Sequence, residues 1–390
     1  MSDANPPGWS DGLGARSSAD WGFGAATSFF LWPLVVTAAA GNMLAAQAEQ
    51  TARLLELPVS PRARLPWSAP NHVRLELSTM ELRDFSIAPP SEWAGEQSGV
   101  PTLICAPYAL HGAAIADLAP GHSLVEALSR GGCRRLFVTD WRSATDDMRQ
   151  FTIDTYLAEL NVAVDEIGAP VNLVGLCQGG WMALVFAARF PEKVRMLAIA
   201  GAPVDIEAAG STLSVSAQTV PLGVFDEIAH LDGGLARGAR TARLWEPGLG
   251  AQNALAALQL SAGEYGRAAD LRRRFEQWAM ATIDLPGTFY RQVVQWLFKE
   301  NRLALGRFTA LGRPIDLAEV RHPLFLLTAD HDEVTAPAQL LALRNLAGTP
   351  PEAVRCLSVP GGHLGLFVGA RTLGGAWGEV AAWLAQGSST

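Results

Sequence analysis

Residues Val171-Asn172-Leu173-Val174-Gly175-Leu176-Cys177-Gln178-Gly179-Gly180-Trp181 run from an apolar segment through G-x-C-x-G into a helix-favouring stretch. A short apolar run of this kind suits a strand buried on both faces of a parallel sheet. The G-x-C-x-G that follows predicts a sharp strand-to-helix turn with Cys177 at its apex. Such a turn is strained, so the residues two before and two after the apex must be small to let backbones pass closely. The helix beyond it would offer free N–H groups and a positive dipole end, which favour a thiolate and an oxyanion. On this reading Cys177 is a nucleophile and the backbone amide of Gln178 is the first oxyanion donor. The competing reading is a buried structural cysteine in an ordinary glycine-containing turn.

Similar apolar runs recur on both sides. Thr102–Ala106, Arg135–Thr139, Val194–Ala200, Leu324–Thr328 and Arg355–Val359 read as strands. Ser123–Arg130, Ile153–Ile167, Trp181–Phe190, Pro337–Leu346 and Ala376–Ala385 read as helices. Strands alternating with helices predict an α/β fold, a mostly parallel doubly wound sheet covered on both faces. Upstream, Val73, Leu75 and Leu77 alternate with polar residues, and Leu82, Phe85 and Ile87 continue the pattern, which predicts opening antiparallel strands. With its elbow, this is the α/β-hydrolase fold, its core spanning 71–204 and 318–390. Residues 205–317 break the alternation: they are helix-like, carry Trp245, Trp278, Phe289, Tyr290, Trp296 and Phe298, and show no clear strand. An insertion at that point predicts a helical cap over the site, with its aromatics forming the cap's own core.

A thiol nucleophile needs a base, and chain order selects among the seven histidines. In this fold the acid follows a late strand and the histidine comes last. Val359-Pro360-Gly361-Gly362-His363 follows the last predicted strand, in a glycine-rich loop that lets the base reach across the sheet edge, so His363 is the expected base. The acid lies in Thr328-Ala329-Asp330-His331-Asp332-Glu333-Val334-Thr335. The Asp-x-Val-Thr-x-Pro spacing selects Asp332, with Asp330 as the alternative. The carboxylate would hold the His363 tautomer and stabilise its imidazolium. A second oxyanion donor is expected from the loop Pro107–Gly112, assigned to the backbone of Ala109. His111 in that loop reads either as a substrate contact or as loop surface.

Composition narrows the rest. At 390 residues, 49% hydrophobic and 17% charged, the chain can bury a large core and is not globally disordered. The net charge is −8 with no Lys/Arg-rich block, which argues against a nucleic-acid partner. The four cysteines are scattered, without C-x-x-C pairs or metal-ligand spacing, so neither structural zinc nor a disulfide scaffold is expected, and reducing cytoplasm is the natural compartment. No metal or organic cofactor is implied. Residues 1–20 read as a flexible leader with no basic n-region of a secretory signal. Residues 21–70 read as an apolar N-terminal helix followed by a Pro/Arg-rich linker. The uncharged run Trp21–Ala48 is long enough to span a membrane, but Pro33, Gly41, Asn42 and Gln47 interrupt it. A helix that seeks a surface or partner, or one packed on the core, are the other readings.

The motifs resemble the polyhydroxyalkanoate synthase superfamily, especially its short class III catalytic subunits. Gly175-Leu176-Cys177-Gln178-Gly179-Gly180 is similar to that family's G-x-C-x-G-G box. Asp117-Leu118-Ala119-Pro120-Gly121-His122-Ser123-Leu124-Val125 resembles its Asp-Leu-x-Pro-x-x-Ser-Leu-Val segment. Pro203-Val204-Asp205, Leu343-Arg344-Asn345-Leu346 and Pro360-Gly361-Gly362-His363-Leu364-Gly365 are similar too. The resemblance covers about residues 102–384 and implies a Cys177, His363, Asp332 set. It also implies an acyltransferase acting on 3-hydroxyacyl-CoA thioesters, a homo-oligomer or partner subunit, and association with a polyester granule or membrane surface through residues 21–57. Leu110-His111-Gly112-Ala113-Ala114 departs from the synthases' Asn-Lys-aromatic-aromatic stretch. Thr139-Asp140-Trp141-Arg142 and Asp284-Leu285-Pro286-Gly287-Thr288-Phe289-Tyr290 look like the intracellular polyhydroxybutyrate depolymerases, related enzymes that also use cysteine. Hydrolysis of the same polyester is therefore the alternative activity.

Overall fold

Eight strands of the computed structural model form one sheet: β1 (His72–Glu76), β2 (Met80–Asp84), β3 (Thr102–Cys105), β4 (Leu136–Trp141), β5 (Val171–Leu176), β6 (Val194–Ala200), β7 (Leu324–Ala329) and β8 (Val354–Val359). Their spatial order is β1-β2-β4-β3-β5-β6-β7-β8. The pairs β1–β2 and β2–β4 are antiparallel, and all pairs from β4 through β3, β5, β6 and β7 to β8 are parallel. The structure describes residues 64–87, 99–245, 251–260 and 262–386. The leader at 1–20, the apolar helix at 21–57 and linker residues 58–63 lie outside the described residues. No helix among those described is long and apolar enough to cross a membrane.

The burial pattern explains why the strands were readable. β3, β4, β5 and β7 are buried at every position and are predominantly apolar, whereas β1 alternates exposed with half-buried. β4 runs two residues past its expected end at Thr139, to Trp141, because that segment pairs with β2. The expected helix Pro337–Leu346 is two shorter ones, Pro337–Leu341 and Leu343–Leu346, joined at Ala342. Helix Leu124–Arg130 opens on Ser123, whose hydroxyl accepts from Glu126 N at 3.0 Å, a cap that fixes its start.

Between β6 and β7 the described residues fold into helices Thr212–Thr219, Leu222–Leu231, Gly238–Trp245, Ala251–Leu258, Ala268–Met280 and Gly287–Gln292, the last continuing as a π-helix over Val293–Lys299. Two small ladders also lie here, Leu235–Ala236 with Leu285–Pro286 and Thr309–Ala310 with Arg313–Pro314. Strands of two residues are too short to leave a period-two pattern in the sequence.

The described end of the segment upstream of β1 is tied to the core. Leu65 is buried, Arg64 donates to Trp141 O at 3.1 Å, and the N–H groups of Ser68 and Ala69 both donate to Asp117 Oδ2 at 2.7 Å. Asp117 is fully buried, so these two bonds, with one from the Ser123 side chain, are what its carboxyl group gains in exchange for water. Replacing it by Ala leaves both donors without an acceptor. Asp117→Ala should destabilise the fold by about 1–3 kcal/mol in urea denaturation; an unchanged midpoint would show that the contact contributes nothing.

Candidate active site

β5 ends at Leu176 and helix Gln178–Arg189 starts two residues later, with Cys177 between them at φ 47°, ψ −118°. A positive φ on a side-chain-bearing residue costs energy and persists only where its surroundings enforce it. The glycines beside it show the enforcement. A Cβ on Gly175 would sit 2.6 Å from Gly180 Cα, and one on Gly179 2.6 Å from Ala106 O and closer still to Cys105 O. The helix thus starts hard against the end of β3, and no larger residue fits at either place. Cys177 N donates to Ala200 O at 2.9 Å, fastening the apex to β6.

His363 lies in the loop after β8 and is 3% exposed. Its Nδ1 donates to Asp332, at 2.8 Å from Oδ2 and 3.0 Å from Oδ1. The imidazole also hydrogen-bonds the Cys177 side chain, and with Nδ1 committed to the carboxylate, Nε2 is the nitrogen left for sulfur. Asp332 is held by its own loop, Oδ1 accepting from Val334 N at 3.0 Å and Thr335 N at 2.7 Å. Asp330 points elsewhere: it is exposed and its carboxylate accepts from Ser358 Oγ. Cysteine, histidine and Asp332 therefore form one hydrogen-bonded line, and Asp330 is not in it.

Burial opposes a charge on the His363 ring, but the Asp332 carboxylate and the Cys177 sulfur, through charge and hydrogen bonding, outweigh it and hold its pKa well above the ordinary histidine value. Cys105 shows what burial does to a thiol without such partners. Desolvation pushes it up to about 12, with only a hydrogen bond to Thr139 pulling the other way.

Cys177 and His363 open into a cavity of about 140 Å³. Ala109 and Gln178 lie on its wall beside the sulfur. The Gln178 side-chain oxygen is held by Trp181, Oε1 accepting from Trp181 Nε1 at 2.7 Å. His111 lines the cavity too, 9% exposed and packed on the Trp278 ring at 4.6 Å between centroids, a wall residue and not loop surface. The opposite wall comes from the insertion: Trp278, Leu285, Phe289, Tyr290, Val294 and Phe298. The sequence assigned these aromatics to the insertion's own core; four of them also face the cavity, while Trp296 packs on Phe308 instead. The π-helix that aims Val294 and Phe298 inward had no sequence signal. Leu213 and Val334 complete the rim and were likewise missed.

Comparison with known proteins agrees with this geometry. The family model described as the alpha/beta hydrolase fold matches residues 112–370. The poly(3-hydroxyalkanoate) polymerase subunit PhaC of Synechocystis sp. is 30% identical over 285 residues, covering 69% of this chain and 74% of that one. The PhaC subunit of Haloferax mediterranei is 28% identical over 316 residues, 75% of this chain, which spans 60% of that relative's length. Among solved structures, BpoC of Mycobacterium tuberculosis H37Rv aligns with a TM-score of 0.50 at 16% identity, over 80% of this chain and 99% of that one, a likeness of fold.

Because His363 has its pKa raised on folding, its pairing stabilises the folded chain fully below about pH 6.5, and that contribution is lost as pH climbs through the higher folded value. Asp332→Asn removes the carboxylate that raises it. The His363 imidazole, followed by NMR, should then titrate at least about one pH unit lower than in the parent. An unmoved titration would mean that Asp332 does not set the charge of the ring.

Proposed function

Because the chain belongs to the alpha/beta hydrolase fold family, and within it to the polyhydroxyalkanoate synthase superfamily, we propose that it is a synthase-like acyltransferase acting on 3-hydroxyacyl-CoA thioesters through Cys177. The observation that carries this reading is the Cys177 sulfur on a strained apex, hydrogen-bonded to an imidazole that Asp332 holds, at the floor of an apolar cavity. A thiol suits thioester exchange, because the attacking and leaving sulfurs are chemically matched.

The chemistry follows from the placement of the groups. His363 Nε2 takes the thiol proton and Asp332 stabilises the resulting imidazolium. The thiolate attacks the thioester carbonyl, and the oxyanion that forms faces the backbone N–H groups of Gln178 and Ala109. Collapse expels CoA, which leaves as a thiol with the proton from His363, and the acyl group remains on sulfur. His363 then removes the proton from the 3-hydroxyl of a second acyl unit, whose oxygen attacks the acyl-enzyme to form an ester and free the thiolate. The aromatic wall from the insertion acts as a cap that keeps water from the acyl-enzyme, favouring the hydroxyl acceptor over hydrolysis.

Purified protein given 3-hydroxybutyryl-CoA should release CoA and form polymer. Soluble 3-hydroxybutyrate from amorphous polyhydroxybutyrate, with no polymer made from the thioester, would instead establish the depolymerase reading. Cys177→Ala should lower CoA release by at least about 10³-fold. Full activity in that variant would remove Cys177 from the mechanism.

A further inference from the structure

Helix Ala251–Leu258 of the insertion ends on Gln259, whose φ of +48° lies in the left-handed region that side-chain-bearing residues seldom adopt. Its amide is buried, and the residue is 7% exposed. Oε1 accepts from both Thr372 N at 3.1 Å and Thr372 Oγ1 at 3.0 Å, and Nε2 donates to Pro360 O at 3.2 Å. Pro360 and Thr372 stand on either side of His363 in the chain, so one amide bridges both flanks of the segment that carries the imidazole.

The glycines of that segment are shaped around it. A Cβ on Gly361 or Gly365 would sit 3.0 Å from Gln259 Nε2, and one on Gly369 would sit 2.5 Å from its Oε1. The glycine-rich sequence read as freedom for the base to reach across the sheet edge is, in the fold, a notch filled by an amide. A second tie joins the same parts: Glu264 meets His122 Nε2 at 3.1 Å, and His122 Nδ1 donates to Val368 O at 2.7 Å.

We infer that Gln259 is a positioning residue for the base: it clamps both flanks of the His363 segment and thereby fixes the imidazole between Cys177 and Asp332. The inference deepens the proposed function and shares its premise that His363 acts on Cys177. Gln259 touches no reacting atom. Its effect passes through the loop, so the placement of the insertion and the placement of the base become a single variable.

The test uses the full chain in a Cys356→Ser background, since Cys356 is the exposed cysteine. Gln259→Leu replaces the amide by an apolar branch and removes its three hydrogen bonds. Thr372→Val is milder, removing only the hydroxyl partner. Two readouts are independent of the natural substrate: iodoacetamide alkylation of Cys177 at neutral pH, followed by peptide mass, and the His363 imidazole titration. With folding verified by circular dichroism, Gln259→Leu should slow alkylation about tenfold or more and shift the titration. In turnover of 3-hydroxybutyryl-CoA it should lower kcat by a similar factor and leave KM within about twofold. Thr372→Val should move the same readouts in the same direction by a smaller factor, and it decides the matter if Gln259→Leu does not fold. Parental alkylation rates and an unmoved titration in a folded variant would overturn the inference. Slowed alkylation in a protein that turns over neither the thioester nor the polyester would sink the proposed function and leave the positioning role standing.

Discussion

The whole site depends on one backbone conformation, the positive-φ apex at Cys177, a sparsely populated geometry that costs about 1–3 kcal/mol for an L residue. It survives because everything around it is fixed. β5 is hydrogen-bonded to β3 on one side and β6 on the other, the apex N–H is bound to Ala200 O, and Gly180 N returns to Cys177 O at 2.8 Å. With no room for a Cβ at Gly175 or Gly179, the helix cannot slide away to relax the turn. Strain held in this way lifts the sulfur above the sheet's carboxyl edge, and any looser packing would let it fall back into the core.

Burial alone would make such a sulfur inert. The fully buried Cys105 is an example, its thiol pushed far above the usual range by desolvation. Cys105 and Cys177 stand at the ends of adjacent strands, and of the two it is Cys177 that faces the His363 imidazole. His363 in turn could not carry charge in a site this enclosed without Asp332, and Asp332 keeps its place because two backbone N–H groups of its own loop bind it. Each group in the line makes the next one's charge affordable, so single substitutions along it will not have additive effects.

The elbow, the core strands and the pairing of His363 with Asp332 were legible in the sequence because each rests on local pattern. β3, β5 and β7 are buried throughout and predominantly apolar, and the loop holding Asp332 is specified by its own neighbours. What the sequence hid depends on contacts between distant segments. Spacing favoured Asp332 but left Asp330 as an alternative, and the pairing of Asp330 with Ser358 on the neighbouring strand removes it from the site. Gln259 carries no motif, and its meaning comes from three glycines a hundred residues away along the chain. The break at Ala342 and the π-helix at Val293–Lys299 leave residue types unchanged, so neither interrupts the apolar pattern from which helices are read.

The aromatic wall needs its own anchor, since a cavity lined by loosely held side chains would admit water. Asp284 supplies it. Its carboxylate accepts from Arg237 Nη1 and Gly238 N, each at 2.8 Å, its N–H donates to Ser143 Oγ at 2.9 Å, and its carbonyl accepts from Ala144 N at 2.9 Å. The first two bonds join parts of the insertion to each other, and the last two join the insertion to the loop after β4. Leu285, Phe289 and Tyr290 follow directly and face the cavity. The hydrogen bond to Asp284 is the largest cause raising the Arg237 pKa above its ordinary value. A partly buried ion pair of this kind does little for overall stability, but it fixes register, and register is what a cavity wall requires. The polar residue beside the aromatics therefore holds them in register along the cavity wall.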